Sequence, residues 1–382
     1  MPHHDIPIHG CISDCAVANE CLHYLYAEGR RTNVMTLLQD RLSSAVATTP
    51  LSDGPLLEVR NLMTEFKTPG GWLRAVNDVS FTVQRGKVLG ILGESGAGKS
   101  ALLRTVLGVQ PRTASVSGQV LMHGVDLLQM RAGERERIRG AWLSMIFQDP
   151  MTALDPLFTV EQQIVETVHR HTTMTKSEAS ARALELLRLV QIPSPEQRLK
   201  SYPFELSGGM RQRIVIAIAL ACNPGLLLAD EPTTALDVTV QARVLALLRE
   251  LRATLGMSIV LVTHDLAVAA SIADDLAVMY GGRIVEQGGV REIVHAPRHP
   301  YTLGLLHANV RPGQRNRPEA IPGSPPNLAR LPAGCAFAPR CAFVTAQCLE
   351  ATPALISIAG THSARCVLVE SATRTAAPPP GD

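Results

Sequence analysis

Hydrophobic positions along the chain change period several times, and each change marks an element. Residues 56–62 and 79–84 alternate apolar with polar, the two-residue period of a half-buried strand. Residues 88–92 form a short apolar run before a glycine-rich turn, which predicts a strand buried on both faces; a helix is predicted over 99–107. Another strand is predicted over 143–147. From 160 to 190 the pattern is helical, with a break around 172–175. Beyond it come a helix over 208–221, a strand over 226–229, a helix over 238–255 and a strand over 259–263. Strands alternating with helices predict an α/β fold whose mostly parallel sheet is covered on both faces. The helical stretch at 160–200 interrupts that rhythm and predicts a separate subdomain.

The ends of the chain read differently. Residues 1–54 show no sustained period apart from a partly helical stretch near 34–46, and they close on a Thr-Thr-Pro-Leu-Ser-Asp-Gly-Pro linker. A loosely ordered N-terminal extension is expected there. The main domain is expected over 55–296, with its helical subdomain at about 150–222. Prolines then crowd 297–332 and cysteines follow, so a small C-terminal module is expected over 297–370 and a disordered Pro/Ala tail over 371–382.

Composition narrows the function. The 36 Lys and Arg nearly balance the 34 Asp and Glu, and aromatics are only 4%. Neither a basic stripe nor a base-stacking platform for nucleic acid is expected from that. No apolar run approaches the roughly 18–20 residues of a bilayer-spanning helix; the longest, such as 214–222, have the length of buried core elements. No basic stretch followed by an apolar core marks the N-terminus, so no secretory signal is read. Any membrane part is expected to come from another polypeptide.

The chemistry begins at Gly93-Glu94-Ser95-Gly96-Ala97-Gly98-Lys99-Ser100, which fits G-x-x-x-x-G-K-[ST] without mismatch. Glycines let backbone N–H groups turn inward around phosphate oxygens, and the following helix adds its positive end. Lys99 can neutralise the outer phosphates of ATP, and the Ser100 hydroxyl can ligate Mg²⁺. The strand over 226–229 runs into Asp230 and Glu231. An open α/β sheet binds ligands at that edge, so Asp230 is expected to hold Mg²⁺ through water and Glu231 to polarise the attacking water.

One further segment identifies a family. Leu206-Ser207-Gly208-Gly209-Met210-Arg211-Gln212-Arg213 resembles the signature sequence of the ABC ATPases. The family's other stations follow over roughly 56–330: Gln148 resembles the Q-loop glutamine, Ala235-Leu236-Asp237 the D-loop and His264 the switch histidine. Phe66 stands where the family places its adenine-stacking aromatic, with Trp72 and Tyr280 as alternatives. The resemblance implies a P-loop NTPase with a RecA-like core, an antiparallel β subdomain and a helical signature subdomain. It implies ATP hydrolysis, with Gln148 touching Mg²⁺ and His264 reaching the γ-phosphate. Two such ATPases clasp two ATPs, so Ser207, Gly208, Gly209 and Asp237 would serve the nucleotide shared with a partner.

Residue 210 is Met where most members have Gln. That variant, the 230–241 stretch and His299-Pro300-Tyr301-Thr302 resemble one of the two ATPases of the dipeptide, oligopeptide and nickel importers. The implied partners are a homologous ATPase subunit, two integral-membrane permease subunits and an extracytoplasmic solute-binding protein. The implied place is the cytoplasmic face of the cell (inner) membrane, and the implied cargo is di- or oligopeptides. Nickel or another small solute is the first alternative. A soluble ABC ATPase of translation or DNA repair is the second, but the chain lacks the tandem ATPase domains or long coiled-coil insertion usual there. A catalytically dead partner is disfavoured because Lys99, Asp230, Glu231 and His264 are all present.

Of the 8 cysteines, Cys11, Cys15 and Cys21 lie near the start, where no fourth ligand is obvious, and Cys222 sits in an apolar helical stretch. Cys335, Cys341, Cys348 and Cys366 lie near the end, separated by 5, 6 and 17 residues. Four thiolates can bind tetrahedral zinc or an iron–sulfur cluster. These four form no C-x₂₋₄-C knuckle, and their uneven gaps suit the larger 4Fe–4S cluster. The resemblance to the importer C-terminal region implies the same cluster, with zinc and free thiols as alternatives.

Overall fold

A computed structural model describes residues 54–234, 236–308 and 320–369. The N-terminal extension with Cys11, Cys15 and Cys21, residue Ala235, and the 371–382 tail lie outside the described residues. The strands are β1 (Leu57–Thr68), β2 (Gly71–Val83), β3 (Val88–Leu92), β4 (Ser115–Met122), β5 (Val125–Asp126), β6 (Leu143–Ile146), β7 (Leu226–Asp230), β8 (Ser258–Thr263), β9 (Asp275–Tyr280), β10 (Arg283–Gly289), β11 (Ile356–Ala359) and β12 (His362–Ala364). They form two sheets, in the orders β2-β1-β4-β5 and β11-β12-β10-β9-β3-β8-β7-β6. The first sheet is antiparallel throughout. The second is parallel from β9 through β3, β8 and β7 to β6, and antiparallel from β9 through β10 and β12 to β11.

Every residue of β3, β6, β7 and β8 is buried, as parallel strands covered on both faces must be. Side chains alternate along a strand, so each central strand feeds two cores. Leu226, Leu228, Val260 and Val262 pack with the helix Lys99–Leu107 and the inner residues of β1, β2 and β4. Leu227, Ala229, Ile259 and Leu261 pack on the other face, against the helices Gly208–Ala219 and Val238–Leu255. The edge of β7 that carries the acids is thereby fixed from both sides.

The helical subdomain holds the helices Val160–His171 and Lys176–Leu189. The break expected near 172–175 is a capping event. Thr175 accepts from the Glu178 N–H, while the Glu178 carboxylate accepts from the Thr175 N–H. Thr159 and Gln162 repeat the device at the preceding helix. Val160, Ile164, Val168, Ala179, Ala183, Leu186 and Leu187 face the core at helical spacing.

The antiparallel sheet is longer than the two short alternations implied. β1 and β2 form a hairpin whose register shifts occur between Val59 and Leu62, Leu62 and Thr64, and Thr64 and Glu65. Such shifts turn side chains out of phase and blur a two-residue period.

The cysteine-bearing region extends the main sheet through β12, which pairs with β10. Fully buried Glu286 anchors the join: it accepts from the backbone N–H groups of Arg298 and His299, and His362 Nε2 lies 2.8 Å from its Oε1. Tyr301, Leu306 and Phe337 pack with Leu276, Val278 and Tyr280 of β9, so the region shares a core with the parallel sheet.

Candidate functional site: a phosphate loop facing a hydrogen-bonded carboxylate

β3 ends at Leu92, the loop 93–98 follows, and the helix begins at Lys99. Two glycines are required there by the walls behind them. A Cβ on Gly93 would lie 2.3 Å from the Met279 carbonyl oxygen, and one on Gly98 would lie 2.1 Å from the Ala75 carbonyl oxygen. Gly98 also has a φ of 103°, in the left-handed region. The loop thus turns tightly with its backbone pressed against β2 and β9. Glu94 and Ser95 lie between Gly93 and Gly96, and buried Ala97 packs its methyl group inward.

Lys99 is 4% exposed. Its Nζ donates to the carbonyl oxygens of Gly93 (2.8 Å) and Glu94 (3.0 Å) and lies 3.7 Å from Glu231 Oε1. Burial pulls the ammonium below its ordinary pKa, while the carboxylates of Glu231 and Asp230 oppose that shift.

Asp230 closes β7 with no exposed surface. Its Oδ1 accepts from the Ser100 hydroxyl at 2.9 Å, and its buried Oδ2 has no hydrogen-bond partner. Burial raises its pKa against that hydrogen bond and the Arg104 charge.

Glu231 follows in the left-handed conformation, with φ 47°. The backbone reversal, held by its N–H on the Val262 carbonyl (3.0 Å), turns the side chain from the strand toward the loop cluster. Its Oε2 accepts from Gln148 Nε2 (3.2 Å) and the Thr234 hydroxyl (2.8 Å), and His264 Nδ1 lies 3.2 Å away. Burial pushes this carboxyl up, yet the hydrogen bonds from Thr234 and His264, with the charges of His264 and Lys99, outweigh it. The net pKa is below the ordinary value. An ionised carboxylate therefore faces the phosphate loop.

The structure gathers Lys99, Ser100, Gln148, Asp230, Glu231 and His264 around the loop: Ser100 bonds Asp230, Gln148 and His264 meet Glu231, and Lys99 pairs with Glu231 by charge. The remaining sequence-derived residues lie elsewhere. Ser207 caps the helix Gly208–Ala219 by accepting from the Met210 N–H. Ser207 and Gly208 are exposed, and a Cβ on Gly209 would approach Val240 at 3.1 Å. Asp237 caps the helix Val238–Leu255 through the N–H groups of Thr239 and Val240. Phe66 is half-buried in β1 opposite Leu73. Of its alternatives, Trp72 is exposed at the hairpin end, and Tyr280 is buried with its ring against Tyr301 and Phe337.

Three contributors escaped the sequence reading. Thr234 donates to Glu231, the Tyr301 hydroxyl accepts from the Glu94 N–H at 2.9 Å, and Arg340 forks onto the Glu94 carboxylate. Thr234 and Tyr301 stand inside stretches that carried the family resemblance, which was the available signal, and Arg340 stands next to Cys341.

The expected metal cluster is corrected. Cys335, Cys341, Cys348 and Cys366 do line one pocket, with His299, Pro300 and Phe337 beside them. All four are free thiols, and among the described residues no group of three or more His, Cys, Asp or Glu is placed to hold a metal ion. Apolar burial raises the pKa of Cys335, Cys341 and Cys366. That disfavours the thiolates which an iron–sulfur cluster or zinc needs.

Comparison with known proteins identifies the family. The ABC transporter family model matches residues 76–234, and the model of the oligopeptide/dipeptide transporter C-terminal region matches 285–348. The oligopeptide transport ATP-binding protein OppD of Haemophilus influenzae is 47% identical over 295 residues, covering 77% of this chain and 91% of that one. Its namesake in Escherichia coli is 45% identical over 311 residues, covering 80% and 92%. Among solved structures, a dimeric post-hydrolysis state of the ATP-binding cassette MJ0796, bound to ADP and Pi, aligns with TM-score 0.55 and 28% identity. It covers 62% of this chain and 99% of that one. The chain belongs to the ABC transporter ATPases, in the family that carries the oligopeptide/dipeptide transporter C-terminal region.

Proposed function

We propose that this chain powers the import of peptides by binding and hydrolysing ATP at the cytoplasmic face of a membrane transporter. The observation that carries the reading is the cluster on Glu231, which gathers Gln148, Thr234, His264 and Lys99 beside the phosphate loop. The peptide cargo is supported by the match of residues 285–348 and by the oligopeptide transport proteins that resemble the chain. Among the described residues no helix is long and apolar enough to cross a membrane; in this reading the permease belongs to other subunits.

In this reading the N–H groups of Ser95, Gly96 and Gly98 cradle the phosphates of ATP, while those of Glu94 and Ala97 are held by the Tyr301 hydroxyl and the Glu94 carbonyl. Lys99 exchanges its carbonyl acceptors for phosphate oxygens when ATP enters. Glu231 draws a proton from the attacking water onto Oε1, while the partners on Oε2 keep the carboxylate ionised beforehand. His264 steadies Glu231 and reaches the γ-phosphate. Mg²⁺ fits Asp230, whose Oδ2 is buried without a partner while its Oδ1 holds the Ser100 hydroxyl. Ser100, Asp230 and Gln148 would hold the ion, which neutralises charge on the β- and γ-phosphates when bound.

The exposed Ser207–Gly208 start of a capped helix suits a phosphate presented from outside. Ser207, Gly208, Gly209 and Asp237 therefore serve the nucleotide of a homologous ATPase subunit, and Phe66 stacks on adenine. ATP closes the pair, hydrolysis reopens it, and two permease subunits follow that cycle. A solute-binding protein delivers the peptide.

Reconstitution into liposomes with the partner ATPase, both permeases and the binding protein tests the reading. Peptide-loaded binding protein should stimulate ATP hydrolysis and accumulate peptide inside. Hydrolysis indifferent to peptide, or uptake of nickel in its place, would overturn the cargo.

A further inference from the structure

Glu94 ties the phosphate loop to the C-terminal region through both its side chain and its backbone. Its carboxylate accepts Arg340 Nη1 at 2.6 Å and Nη2 at 3.0 Å, a two-pronged pair. Its N–H donates to the Tyr301 hydroxyl, and its carbonyl accepts from Lys99. The two partners in the ion pair lie 246 positions apart in sequence.

Arg340 is itself fixed. Its side chain is 6% exposed, and its Nε donates to the Pro322 carbonyl at 2.8 Å. Nη2 reaches the Ile321 carbonyl and Nη1 the Tyr280 hydroxyl. The guanidinium carbon lies 5.9 Å from the ring centres of both Tyr280 and Phe337. Those rings pack on Tyr301, so Arg340 and Tyr301 belong to one aromatic block. A Cβ on Gly281 would lie 2.9 Å from the Ala336 Cβ, so the block also sits tightly against the turn after β9.

The charge matters more than the packing. A carboxylate inside a phosphate-binding loop repels the triphosphate it must admit. The Arg340 guanidinium cancels that charge and pulls the side chain back toward the C-terminal region. We propose that Arg340, with Tyr301, is a positioning clamp on the phosphate loop, by which the oligopeptide-type C-terminal region sets the affinity for ATP. The clamp rests on the reading of the 93–100 loop as the ATP site.

ATP affinity of the full chain, measured by titration calorimetry, tests it. Arg340→Gln leaves Glu94 unpaired beside the phosphates and should weaken ATP about tenfold, with adenosine affinity unchanged. The double variant Glu94→Gln, Arg340→Gln removes the repelling charge too and should recover to within about threefold of wild type. Arg340→Lys should fall between. Wild-type affinity in Arg340→Gln, or a double variant as weak as the single, would overturn the clamp. A packing role alone would lower the melting point of both variants equally and show no such recovery. If Arg340→Gln does not fold, Tyr301→Phe should weaken ATP about threefold; an unchanged affinity there overturns the proposal. Lys99→Ala separates the two readings. Loss of ATP in Lys99→Ala with none in Arg340→Gln sinks the clamp alone; retention in Lys99→Ala sinks the phosphate loop.

Discussion

The phosphate site and the cysteine pocket are both gatherings of residues that carry chemistry, and they differ in what surrounds those residues. At the phosphate site each side chain is met by a complementary group. Lys99 faces Glu231, Ser100 faces Asp230, and Glu231 collects Gln148, Thr234 and His264. The residual mismatch, the unpartnered Asp230 Oδ2, points to a ligand. At the pocket four thiols come together among His299, Pro300, Phe337 and Phe343, and burial raises the pKa of three of them. Shared location is therefore a weak sign of a site. Complementary charge, with one valence left open, is a strong one.

Breaking the phosphate side should give the largest effect. Lys99→Ala is expected to weaken ATP about a hundredfold, since charge-assisted hydrogen bonds to phosphate are lost; nucleotide titration reads it. The melting point without nucleotide should move little or rise, because a buried ammonium is removed.

The pocket side should answer through stability instead. His299 is buried, and its pKa is pushed from 6.5 down to about 3. A base whose folded pKa is depressed gains no proton on folding. Its contribution is whole above pH 6.5 and is lost as pH falls from 6.5 toward 3. Acidifying to pH 5 should therefore cost about 2 kcal/mol, read as a falling melting point. His299→Asn keeps an acceptor for the Tyr301 N–H and should flatten that slope.

Cys366→Ser should cost about 1 kcal/mol by placing a hydroxyl among Ala364, Val369 and Ile358, with ATP turnover unaltered. A large loss of turnover would erase the contrast between the two regions.

The subtlest test sharpens the electrostatics. Thr234→Val removes a donor to Glu231, so its depressed pKa should rise. The acid limb of the pH–rate profile should move to higher pH, while turnover at neutral pH should change little because the carboxylate stays ionised there.

How much of this was legible in the sequence follows the range of the forces. β3, the helix after it and the helix Val238–Leu255 fell where the apolar pattern placed them, because a fully buried strand and a long amphipathic helix declare themselves locally. The phosphate loop and the Asp230–Glu231 pair were legible because each lies within a few consecutive residues. The hairpin β1–β2 was seen only in part, since its register shifts break the period. The union of β10 with β12 depends on Glu286 and His362, two polar residues whose burial no local pattern reveals. Arg340 was invisible as a partner of Glu94 because only the fold joins them. The cysteines misled in the opposite direction: their spacing permitted a cluster, but among the described residues no group of three or more His, Cys, Asp or Glu is placed to hold a metal ion.

Single-turnover hydrolysis by Glu231→Gln, measured with its cognate ATPase partner, tests the central claim most directly. Glutamine keeps the size and, through its amide oxygen, the contacts now made by Oε2, but it cannot accept the water's proton. ATP should bind with wild-type affinity, the pair should stay closed, and hydrolysis should fall about a thousandfold. Hydrolysis at the wild-type rate would place the chemistry elsewhere than on Glu231.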